Sequence, residues 1–120
     1  MFEHSFRVVK VGTFEQLVMD FKDEKYEILS IFLESEVSNF GDWIKDTIDK
    51  VLSGESNNQK IAGNCCELEI NRDTTKIFDS LAEDGMGNWC ELSTVELRDI
   101  INYWCEKVDE FKSGKLNLWN

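Results

Sequence analysis

"KIAGNCCELEINRDTTKIFDSL", residues 60–81, decides how the rest of the chain is read. It has the composition of strands, and "NRD" at 71–73 supplies a turn between two runs, which predicts two antiparallel strands. Successive side chains of a strand point to opposite faces, so Cys66, Leu68 and Ile70 share one face while Cys65, Glu67 and Glu69 share the other. Inward apolar residues thus alternate with outward acidic ones, and Cys66 behaves as a small hydrophobe. Adjacent cysteines on opposite faces cannot both ligate one ion without breaking the strand. Cys90 and Cys105 add no C-x-x-C spacing, and His4 is the only imidazole, so neither a metal site nor a redox pair is expected.

On the C-terminal side, "GMGNWCEL" (85–92) reads as a further strand running straight into a helix. Ser93 and Glu96 form a capping box there, and Leu92 and Leu97 occupy the two positions of a hydrophobic staple. Leu97, Ile100, Ile101, Trp104, Val108 and Phe111 make one apolar stripe, closed by Gly114. On the N-terminal side, Phe40, Trp43, Ile44, Ile48, Val51 and Leu52 fall on one helical face, with Gly54 at the C-cap. "SFRVVKV" (5–11) predicts an opening strand. Thr13 and Gln16 fit a T-x-x-Q capping box, and Phe14, Leu17, Val18 and Phe21 follow at helical spacing, so 14–21 is expected to be a helix. "YEILSIFLESEV" (26–37) fits a central strand or a buried helix, and its short apolar run favours the strand. The fold class that emerges is α+β. An antiparallel-rich sheet of four or five strands should be covered on one face by helices near 38–53 and 94–112, with residues 1–120 forming one domain.

Composition narrows the function. Acidic residues outnumber basic ones 24 to 13, for a formal charge of -11. Such a field repels nucleic-acid phosphates and anionic lipid and attracts basic partners. No apolar stretch is long enough to cross a bilayer, and "MFEHSFRVVKVG" lacks the apolar core of a secretory signal. Cysteines without a disulfide framework then point to a cytoplasmic setting. There is no G-x-S-x-G, Walker loop, dinucleotide fingerprint or H-E-x-x-H. "EDGMG" (83–87) lacks the alternating oxygen ligands of a calcium loop, and no cofactor is implied. What stands out is an acidic surface. Glu67 and Glu69 project from one strand, Glu91 from the next, and Asp79, Glu83 and Asp84 lie between them. These carboxylates are either a solvated face or a docking surface for a basic protein.

One resemblance is carried by named residues. Gly63, Asn64, Cys66, Leu68, Glu69 and Ile70 fit G-N-x-C-x-L-E-I. Glu91, Leu92, Thr94, Glu96 and Leu97 fit E-[LI]-x-T-x-E-L opening a helix with a late Trp, here Trp104. With the loop between them, these motifs resemble small bacterial immunity proteins encoded beside contact-dependent growth inhibition and related polymorphic toxins. The likeness covers residues 26–112. It implies a cytoplasmic antitoxin, not an enzyme, that binds the C-terminal domain of a cognate toxin, often a basic nuclease. Tight binding would need an aromatic or aliphatic anchor among the charges, and Trp89 and Trp119 are the candidates. The alternatives are an acidic interaction or adaptor module with no toxin partner, and a small carboxylate-based hydrolase.

Overall fold

In the computed structural model, which describes residues 2–80 and 88–115, the chain opens with a hairpin. β1 (His4–Val11) pairs antiparallel with β2 (Phe14–Phe21), and Val11 faces Phe14 across a turn made by Gly12 and Thr13. Gly12 has φ 64 while no non-glycine residue is positive, the pattern of a tight hairpin turn with glycine at its first central position. The segment 14–21, expected as a helix, is therefore a strand. Its T-x-x-Q pattern and spacing suit a helix locally, but Gly12 reverses the chain and gives it a partner. A ladder of backbone hydrogen bonds then outweighs a weak local propensity.

The segment 26–37, expected as a strand, is helical. Asp23 accepts the Lys25 N–H at 3.1 Å and starts a 3₁₀ turn, Glu24–Tyr26. This leads into α1 (Glu27–Phe32), a π-helical stretch Leu33–Val37, and α2 (Ser38–Leu52). The buried residues explain it. Ile28 and Leu29, Phe32 and Leu33, Glu36 and Val37 recur in pairs four apart, which is one face of a helix. Side chains stabilise the wider π turn. Ser38 Oγ donates to the Leu33 carbonyl at 3.3 Å, and Asn39 Nδ2 to that of Ser35 at 2.6 Å.

The stretch 58–93 forms a meander, but residues 60–70, expected as one strand, are divided by a turn at 63–65. β3 (Asn58–Ala62), β4 (Cys66–Asn71), β5 (Thr74–Asp79) and β6 (Trp89–Ser93) form a four-stranded antiparallel sheet in chain order. Ile61, Cys66, Leu68, Ile70, Thr75, Ile77, Cys90 and Leu92 are buried on its helix-covered face. β6 runs directly into α3 (Thr94–Lys112), whose first turn is capped by Ser93 Oγ accepting the Glu96 N–H at 3.3 Å. Leu92 and Leu97 are both buried, as a staple around that cap requires. Thr94 also ties the helix to the β4–β5 turn, its N–H donating to the Asp73 carbonyl at 3.0 Å.

The α+β class, and an antiparallel sheet with helices on one face, match the sequence reading. The opening strand does not join that sheet; it forms a separate two-stranded one with β2. β2 packs against α1, the π stretch and α3, and Leu17 and Met19 enter the same core as the sheet's inner face. His4, the first residue of β1, is tied to α3. Its Nε2 is 3.2 Å from the Tyr103 hydroxyl of α3, and its ring meets Phe6 and Tyr103 edge-on. No helix among the described residues is long and apolar enough to cross a membrane.

Candidate partner-binding face

The register of the meander fixes what its outer face presents. One cross-strand row runs Ala62, Glu67, Phe78, Trp89, and the next Lys60, Glu69, Lys76, Glu91. In the first row Phe78 and Trp89 stack with centroids 6.2 Å apart, and Trp89 is 55% exposed. In the second, signs alternate. Lys60 lies 3.7 Å from Glu69, and Lys76 3.9 Å from Glu91. Both pairs are solvated, so each is worth at most about 1 kcal/mol. Their consequence is electrostatic: the row is neutral, and Glu67 carries the acid character of this face.

The residues singled out by sequence therefore separate into groups. Glu67, Glu69, Glu91 and Trp89 share the outer face. Asp79 sits opposite Cys66 with the parity of buried Ile77, on the helix side of the sheet, and its carboxylate raises the Cys66 thiol pKa. Glu83, Asp84 and Trp119 lie outside the described residues.

Two of the cysteines, Cys66 and Cys90, are buried in the core. Burial pushes the Cys66 thiol up to about 12, with the Glu36 carboxylate adding to the shift, and burial does the same at Cys90, also to about 12. Cys65 is not on the outer face with Glu67. It lies in the β3–β4 turn, half-buried and packed against the core.

That turn holds a residue that sequence reasoning missed. Glu36, only 2% exposed, reaches from the π stretch to accept the Asn64 N–H at 3.0 Å and the Cys65 N–H at 2.8 Å. A Cβ on Gly63 would overlap the same carboxylate. Gly63 and Asn64 of the G-N-x-C motif are thus where an acid from another element is clasped, and the signal was invisible because Glu36 is 28 residues away. The clasp joins the π stretch to the end of the sheet that carries Glu67, Phe78 and Trp89.

A second departure lies just beyond the π stretch. Inside α2, Phe40 has φ -129 and ψ 26, a kink in an otherwise regular helix. By periodicity Phe40 and Trp43 share a face with Ile44 and Ile48 and should be buried. Ile44, Ile48 and Val51 are buried, but Phe40 is 39% and Trp43 49% exposed. The two rings pack edge to face with centroids 6.4 Å apart. Full burial of one such ring is worth about 1.5–3 kcal/mol, so the exposed pair leaves appreciable hydrophobic free energy unused in the isolated chain. Elsewhere, a groove of about 320 Å³ between β2 and α3 is lined by Leu17, Val37, Trp104, Val108 and Phe111, with Glu15, Asp109 and Lys112 exposed beside it.

Comparison with known proteins bears on what these faces are for. The chain is 46% identical over 114 residues to an immunity protein of Bacillus cereus (strain ATCC 14579), an alignment spanning 95% of this chain and 94% of that protein. No family model matches the chain, and no solved structure matches it.

Proposed function

Because the chain belongs to the family of that immunity protein, we propose that it is an antitoxin: it binds the C-terminal domain of a cognate toxin and neutralises it without catalysis of its own. The observation that carries this reading is near full-length similarity to a protein of that name. The acidic balance of -11 supports a basic partner, such as a nuclease, whose phosphate-binding groove carboxylates can occupy. The setting is the cytoplasm of a cell that carries a contact-dependent or related polymorphic toxin.

The docking surface proposed is the outer face of the meander. Trp89, stacked on Phe78, supplies an exposed aromatic anchor. Glu67 stands in the same row, and the alternating charges of Lys60, Glu69, Lys76 and Glu91 fix orientation more than they add attraction. Of the remaining acids, Asp79 stands on the helix side of the sheet, and Glu83 and Asp84 belong to the stretch of chain between β5 and β6. The test is co-expression with the C-terminal domain of the protein encoded immediately upstream. Rescue of growth and co-purification of the two chains are expected. Unrelieved toxicity, or turnover of a substrate by this chain alone that is lost on changing one carboxylate, would replace the antitoxin reading.

A further inference from the structure

We infer that the kinked start of α2 is a second anchor for the same partner, with Trp43 and Phe40 entering an apolar recess on the toxin domain and Asp42 and Asp46 meeting basic residues at its rim. This rests on the antitoxin reading and deepens it. Three observations carry it. First, an exposed aromatic pair sits where the helix is irregular: Phe40 is non-helical and follows a π-helical stretch. Such irregularities occur often at functional sites. Second, the edge-to-face contact pre-organises the two rings, and rigid aromatics surrounded by polar groups are the usual anatomy of a binding hot spot.

Third, the surroundings choose the occupant. Asp42 and Asp46 are exposed on either side of Trp43, against a half-buried Lys45, so the rim suits a basic surface. A second copy of this chain would bring another net charge of -11 against that rim, and mutual repulsion opposes it. The Glu36 clasp also matters. It holds the π stretch to the β3–β4 turn, at the end of the sheet where Phe78 and Trp89 stack. The clasp therefore ties the segment that leads into the α2 pair to the end of the sheet that carries the other pair.

The test uses the full chain and the catalytically inactivated C-terminal domain encoded upstream, with dissociation constants and rates measured for Trp43→Ala, Trp89→Ala, the double variant and Trp43→Phe. Phe14→Ala, an exposed aromatic at the hairpin turn, is the control, and urea unfolding confirms that each variant folds. Trp43→Ala should weaken binding by about 30-fold or more, chiefly through faster dissociation. Trp43→Phe should retain most of the affinity, and Asp42→Lys should slow association. If Trp43→Ala binds as the parent does while Trp89→Ala weakens, the α2 anchor is refuted and the antitoxin reading stands. If the parent chain binds no upstream domain, the antitoxin reading itself falls. Self-association of the parent that Trp43→Ala abolishes would assign the patch to a second copy and also refute the proposal.

Discussion

Glu36 is a carboxylate held in the interior by backbone amides, and its cost and its use are both local. Desolvating it is offset by the N–H groups of Asn64 and Cys65, and hydrogen bonds to a charged group contribute about 1.5–3 kcal/mol each. Glu36→Ala should lower unfolding free energy by about 3 kcal/mol in urea titrations, because it orphans two turn amides. Gly63→Ala should cost a similar amount, since its methyl would displace the carboxylate. The double variant is the decisive one. With the carboxylate gone the methyl has room, so the combined loss should fall well short of the sum. Simple additivity would dismiss the clasp. The thiols give a second expectation. Cys66 and Cys90 are raised from an ordinary value of 9.0 to about 12, so the folded state holds protons that the unfolded state releases. Their contribution is intact below pH 9 and is lost as pH rises toward 12, at roughly 1.4 kcal/mol per pH unit for each thiol. Cys90→Ala should remove its share of that alkaline slope, and an unchanged slope would show that other groups produce it. At this scale the inward place of Cys66 was legible from alternation, whereas Glu36 was not, because its partners are distant in sequence.

Among the elements, those whose evidence is local were legible. α3 was written out by its own cap, staple and stripe, and the β4–β5 hairpin by alternation and the "NRD" turn, whereas the turn at 63–65 was read as strand. The Ser93 cap can be tested directly. Ser93→Ala should cost about 1 kcal/mol and Ser93→Asp should keep most of the stability, both by chemical denaturation. Equal stability of Ser93→Ala and the parent would mean that the direct strand-to-helix junction, not the cap, sets the start of α3. Elements fixed by a partner were misread. β2 carries a helical spacing that only pairing with β1 overrides, and 26–37 carries apolar pairs whose four-residue recurrence is short enough to pass for a strand. Phe40 and Trp43 fit the apolar face of α2 by count, but Phe40 is non-helical and Trp43 lies at the edge of the arc set by Ile44, Ile48 and Val51.

Across the whole molecule, the sequence gives the size of the net charge but not where it acts. The sheet's outer face was expected to be acidic, yet Lys60 and Lys76 come into register with Glu69 and Glu91 and leave that row neutral. Charge reversals there should act with opposite signs on encounter with a basic partner. Glu67→Lys should slow association and flatten its dependence on salt, while Lys76→Glu should speed association at low salt. Exposed charges are screened over about 8 Å at physiological ionic strength, so both effects should shrink as salt is added. Identical association rates in both variants across a salt series would place the docking surface elsewhere.

The order of the sheet, with every strand beside its neighbour in the chain, has a kinetic consequence. Each ladder from β3 to β6 closes between adjacent segments, and α3 follows β6 with no linker, so much of the fold forms from contacts close in sequence. Such topologies reach their transition state with little loop-closure entropy to overcome. The chain also contains no proline, which removes the commonest source of minute-scale delays in refolding. Stopped-flow refolding should accordingly show no slow phase that a prolyl isomerase accelerates. An immunity protein of this topology would reach its folded state quickly after synthesis.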